Sequence, residues 1–131
     1  MNPDSILWRA VLNTTSETIP AFAIMQITGV DGDGVVQVAK CTTDSTKLFL
    51  INSGTVIGAG DRGVGYAPME MPYWVYYDTA DTPANGQQWG PASGSWKATK
   101  NKTGLLMLEM TAEAVRPATG LAPAILEVCR M

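Results

Sequence analysis

The sequence contains no histidine. That one absence removes the commonest general base and metal ligand, and with it every Ser-His-Asp or Cys-His arrangement for nucleophilic catalysis. Cysteine is nearly as scarce. Cys41 and Cys129 are the only two and form no CxxC pair, so a zinc site would need two distant thiolates completed by carboxylates. Charge is sparse as well: Asp, Glu, Lys and Arg are 16% of the 131 residues, against roughly 25% in an average soluble domain. The net charge is −3, whereas nucleic-acid binders carry a basic face, so no nucleic-acid partner is expected. Long apolar runs are missing too, none approaching the ~18 residues of a membrane helix. Met1-Asn2-Pro3-Asp4-Ser5 has neither the basic start nor the apolar stretch of a signal peptide. The expectation is a protein made in the cytoplasm, with no membrane partner.

What the chain does have is apolar bulk and turn formers. Hydrophobic residues are 46%, with 13 glycines and 8 prolines, a profile that suits packed sheets better than a solvated helical bundle. Short β-prone runs recur between turn signals: Ile6–Leu12, Ile19–Thr28, Val35–Ala39, Lys47–Ile51, Pro72–Tyr77, Leu105–Met110 and Ala124–Arg130. Asp31-Gly32-Asp33-Gly34 separates two of them and reads as a hairpin turn. Thr55 to Tyr66 carries Gly58, Gly60, Gly63 and Gly65 and reads as a loop with one short strand, Thr55-Val56-Ile57. Trp89 to Lys97 reads as irregular, and Ala112 to Val115 as a helical turn limited by Pro117. No stretch holds a 3.6-residue apolar period over 12 or more positions. These signals predict a mostly β single domain over residues 1–131, with residues 1–5 as an N-terminal arm. Its form is an antiparallel β-sandwich or partly open β-barrel with long Gly-rich loops.

Candidate chemistry is thin. Two carboxylates suffice for a glycosidase, and Glu70, Asp78, Asp81, Glu109 and Glu113 lie near aromatics, but surface carboxylates of this kind usually solubilise or form turns. Asp31-Gly32-Asp33-Gly34 lacks the later ligands of a calcium loop. The stretch from Gly58 to Gly65 has no following Lys-Ser/Thr to make a phosphate cradle. Cys41 and Cys129 each lie in or beside an apolar run and read as buried free thiols, with one disulfide as the alternative. No catalytic residue, cofactor or metal is expected.

The aromatics are more informative. In Tyr73-Trp74-Val75-Tyr76-Tyr77 they fall on both faces of a strand, because side chains alternate. One face can fill the core; the other needs a cover, supplied by the chain's own Trp89/Trp96 segment, by another protein, or by a glycan. Trp74, Tyr76, Trp89 and Trp96 are therefore candidate contact residues, since aromatics with a polar tip are enriched at interfaces. Lys97, Lys100 and Lys102 form the one basic cluster and join them as a possible dock for an acidic surface.

Three segments carry a resemblance. Asn13 to Gly29 reads Asn-x5-Ile-Pro-x-Phe-x4-Ile-Thr-Gly; Trp74-Val75-Tyr76-Tyr77-Asp78 is the second. The third is Trp89-Gly90-Pro91-x4-Ser95-Trp96-Lys97, followed by Gly104-Leu105-Leu106. In these the chain resembles small proteins encoded in tailed-phage and prophage-like gene clusters. The resemblance implies a virion structural protein, of which a capsid decoration (cement) protein stabilising the shell through the major capsid protein is the leading form. A head-fibre, tail-accessory or carbohydrate-binding module is the alternative. It implies other virion subunits as partners, a homo-oligomer such as a trimer, and residence in the virion after synthesis in a bacterial host. It assigns no functional residues.

Overall fold

The structure, a computed structural model, describes residues 6–69, 71–109 and 117–127. They form strands β1 (Ile6–Asn13), β2 (Ile24–Val30), β3 (Val36–Ala39), β4 (Phe49–Asn52), β5 (Arg62–Pro68), β6 (Tyr73–Tyr76), β7 (Gln88–Gly90), β8 (Thr99–Lys100), β9 (Leu105–Met107) and β10 (Leu121–Leu126). Among the described residues there is no helix. The first five strands close into a barrel in the order β1-β3-β2-β4-β5, and the rest form a second sheet ordered β6-β10-β9-β7-β8.

Local chemistry explains the β2–β3 hairpin. Asp31 Oδ1 accepts from the N–H groups of Asp33 (2.8 Å) and Val35 (3.0 Å), and Gly34 takes φ +80°, which a side chain would resist. The expected turn is in place. Closure depends on something less local: β1 runs parallel to β3 through Val11–Val36, Leu12–Gln37 and Asn13–Val38, so the barrel is not purely antiparallel as expected. On its other side β1 pairs antiparallel with β5 from Ile6–Pro68 to Leu12–Arg62.

β4 explains how two sheets share one core. All four of its residues are buried. Leu50 joins Val11, Met25, Val38 and Ile57 inside the barrel, while Phe49 and Ile51 join Val75, Trp89, Leu105 and Met107 between barrel and second sheet. Burying each such side chain contributes about 1.5–3 kcal/mol. Backbone bonds stitch the sheets at one margin: Ile24 N donates to Trp96 O and Tyr76 N to Phe22 O, both at 2.8 Å. Phe22 holds φ +59° there, a conformation rare for an aromatic residue.

Several expectations need correction. The glycine-dense stretch from Gly58 to Gly65 is not all loop, for Arg62–Pro68 is β5. Its glycines lie where neighbours press on the strand: a Cβ on Gly65 would meet Leu50 Cβ at 2.9 Å, and one on Gly63 would meet Ile57 Cδ1 at 2.5 Å. Thr55-Val56-Ile57 is not a strand; Ile57 makes one isolated bridge, to Ile19. The irregular stretch Trp89–Lys97 opens inside β7, and β10 starts at Leu121, three residues before Ala124. The arm at 1–5, the helical turn at 112–115 and Cys129 lie outside the described residues. Cys41 is a buried free thiol, as expected.

Candidate functional site

The candidate contact residues separate into core and surface. Trp89 is 0% exposed. Its indole N–H donates to Gln87 Oε1 at 3.2 Å, and Tyr77 meets the ring edge-on at 5.8 Å. Trp96 is 7% exposed and packs into the barrel cluster, with Lys40 Nζ 5.8 Å from its ring centre. Both are therefore core residues of this chain and not the surface contacts expected of them; the polar tip of Trp89 is satisfied internally. Tyr76 is half-buried against the barrel cluster, with Lys97 Nζ 5.2 Å over its ring.

The three lysines have different surroundings. Lys97 covers Tyr76, Lys100 sits in β8 opposite Trp89, and Lys102 pairs with Asp44 at 3.3 Å. The Ser93 N–H and then Lys102 hold the Asp44 carboxyl below its ordinary range. Glu17 is lowered in the same way, by Lys40 at 3.1 Å and then by Trp96.

Trp74 is one of two expected contact residues, with Tyr76, that line a surface hollow. It lies opposite Pro123 across β6 and β10. Pro72, Tyr73, Trp74 and Pro123 line an open apolar hollow of about 470 Å³, and exposed Met69 and Met71 are close by in the chain. Tyr73 continues inward to Tyr66 and Phe22, with ring centres at 4.9 and 5.6 Å. Burial, and then the neighbouring Tyr66, push the Tyr73 phenol up to about 12. A second hollow, about 370 Å³, opens where the sheets meet and is lined by Pro20, Phe22, Gly54, Tyr76 and Leu121 among others.

The residue that sequence reasoning passed over is Trp8, which is 60% exposed. It stands directly opposite Tyr66 across the β1–β5 pair. Strand alternation carries the signal: Trp8 and the buried Val11 fall on opposite faces of Ile6–Leu12.

Among the described residues no acid–base pair is assembled. Asp78 is a turn former whose Oδ1 accepts from Ala80 N at 3.1 Å, Asp81 and Glu109 are exposed, and Glu70 and Glu113 lie outside the described residues. Among the described residues no group of three or more His, Cys, Asp or Glu could hold a metal ion. What the arrangement offers is apolar and aromatic surface on a rigid β scaffold.

No protein-family model matches the chain, and no curated protein matches it. Among solved structures it is similar to the head fiber gp8.5 N base of bacteriophage phi29, with a TM-score of 0.61 over 93% of this chain and 94% of that one. The two chains share a fold. At 9% identity the likeness lies in the course of the backbone and not in retained surface chemistry.

Proposed function

We propose that this chain is a non-enzymatic structural protein of a phage virion, seated on the head and acting through protein contacts. The observation that carries the reading is the fold shared with the phi29 head fibre base along nearly the full length of both chains. The sequence resemblance to phage-encoded proteins points the same way. In the decoration form, the chain stabilises the shell by binding the major capsid protein. In the fibre-base form, the same domain anchors a projecting element, and the shared fold is compatible with both forms. Repetition on a symmetric shell, as a trimer or another homo-oligomer, would let one small patch act many times. The protein would be made in the host bacterial cytoplasm and reside in the virion.

A glycan platform has less support. Trp89 and Trp96 are committed to the core, and among the described residues that line the hollow around Trp74, Tyr73 alone carries a side-chain hydroxyl. Electron cryomicroscopy of the particles encoded with this gene tests the proposal. Density matching a five-stranded barrel joined to a second sheet, repeated on the outer face of the head, supports it. A head without such density overturns it.

A further inference from the structure

The first strand extends beyond the barrel it helps to close. β3 meets β1 only at Val11 to Asn13, whereas β5 accompanies β1 down to Ile6. Trp8, Arg9 and Ala10 are all exposed. From Ile6 to Ala10, then, β1 is the edge strand of a sheet that continues through β5 to β4, which pairs with Tyr66 and Gly65, and β1 has no strand on its other side among the described residues.

The hydrogen-bond parity fixes which backbone groups line that open edge. Asn13 N donates to Asp61 O on the β5 side at 2.9 Å, and Thr14 N to Val38 O on the β3 side at 3.2 Å. Backbone groups alternate along an antiparallel pair, so Arg9 and Val11 bond towards β5 while Trp8 and Ala10 point outward. The side chain of Arg9 bears this out, for Nη1 donates to the carbonyl of Trp8 at 2.7 Å. A charged side chain thus occupies an outward acceptor, as expected at a managed open edge.

We propose that the open edge of β1 at Trp8–Ala10 accepts an extended strand from another virion chain, one with an apolar side chain to lie on Trp8 and an acidic one to draw Arg9 off the Trp8 carbonyl. Strand addition draws affinity from main-chain bonds and specificity from alternate side chains, and the edge offers both. Charge selects the partner over a second copy: Ile6–Asn13 contains no acidic residue, so β1 paired with itself leaves both Arg9 side chains unanswered. This inference rests on the virion reading and specifies how the chain attaches.

The test is residue-resolved hydrogen–deuterium exchange of the isolated chain and of the chain on purified particles. The outward amides of Trp8 and Ala10 exchange rapidly in the isolated chain and slow by at least tenfold on the particle. Those of Arg9 and Val11 are protected in both. A chain present on particles with Trp8 and Ala10 amides still fast overturns strand addition and leaves the virion reading standing. A chain missing from the particles removes both. Protection already present in the isolated chain and lost on dilution assigns the edge to a second copy and overturns the proposed partner. Two variants separate backbone from side chain: W8P removes an outward N–H without breaking the β5 ladder, and W8A keeps it. Strand addition predicts that W8P attaches more weakly than W8A, with circular dichroism showing both folded; equal attachment contradicts it.

Discussion

Tyr73 rests on Tyr66 with ring centres 4.9 Å apart and planes tilted by 38°, so the first strand of the second sheet leans on the last strand of the barrel. Burial raises the Tyr73 phenol to about 12. The folded state therefore keeps its proton where the unfolded chain, near 10, has lost it. That contribution is intact below pH 10 and disappears as pH rises from about 10 to 12. The expected outcome is an alkaline loss of stability that Y73F flattens, read from urea unfolding midpoints at pH 8, 10 and 11. A slope identical in Y73F contradicts the coupling.

Asn13 is a fully buried brace. Its Nδ2 donates to the carbonyls of Glu17 (2.8 Å), Ile57 (3.0 Å) and Gly58 (3.0 Å), while its Oδ1 accepts from the N–H and hydroxyl of Thr15. Stranding a buried polar group costs about 1–3 kcal/mol, so N13A should destabilise by about 2 kcal/mol or more. N13D should be worse at pH 7 than at pH 4, because a carboxylate donates to none of those carbonyls. Chemical denaturation at both pH values checks this.

Gly65 lets β4 and β5 approach. A Cβ there would press on Leu50 Cβ at 2.9 Å and on Met25 Cε at 3.0 Å. Overpacking of this sort costs about 1–3 kcal/mol, so G65A should lower the unfolding midpoint accordingly. Exposed Gly32, with nothing within 4 Å of its added Cβ, serves as the control, and G32A should shift stability by less than about 0.5 kcal/mol.

Cys41 is buried in the cluster between the two sheets, and that burial raises its thiol to about 11. The thiolate is the reactive form. In a C129S chain, Cys41 should react with a disulfide reagent at pH 8 at least a hundredfold more slowly than after unfolding in guanidinium. Comparable rates would place the thiol at the surface.

The parts legible in sequence are those fixed by neighbours along the chain. Asp31-Gly32-Asp33-Gly34 specifies its own hairpin, since the Asp31 carboxylate and the positive φ of Gly34 are local properties. β5 was hidden because glycine signals a turn when only chain neighbours are visible. Gly63 and Gly65 answer instead to Ile57, Leu50 and Met25, which lie distant in sequence and adjacent in space. The parallel contact of Val11 with Val36 that closes the barrel leaves no local trace. In the candidate site, aromatic surplus points to Trp74 and Trp89 alike, and it is the packing between the sheets, with the indole N–H bonded to Gln87, that marks Trp89 as core.

The central claim, residence on a virion, is met most directly by gradient sedimentation of a lysate in which the particles assemble, with this chain followed by quantitative mass spectrometry. A virion protein travels with full heads at many copies per particle, in a fixed ratio to the major capsid protein. A chain that stays at the top of the gradient as a small free species, while the capsid protein sediments, contradicts it.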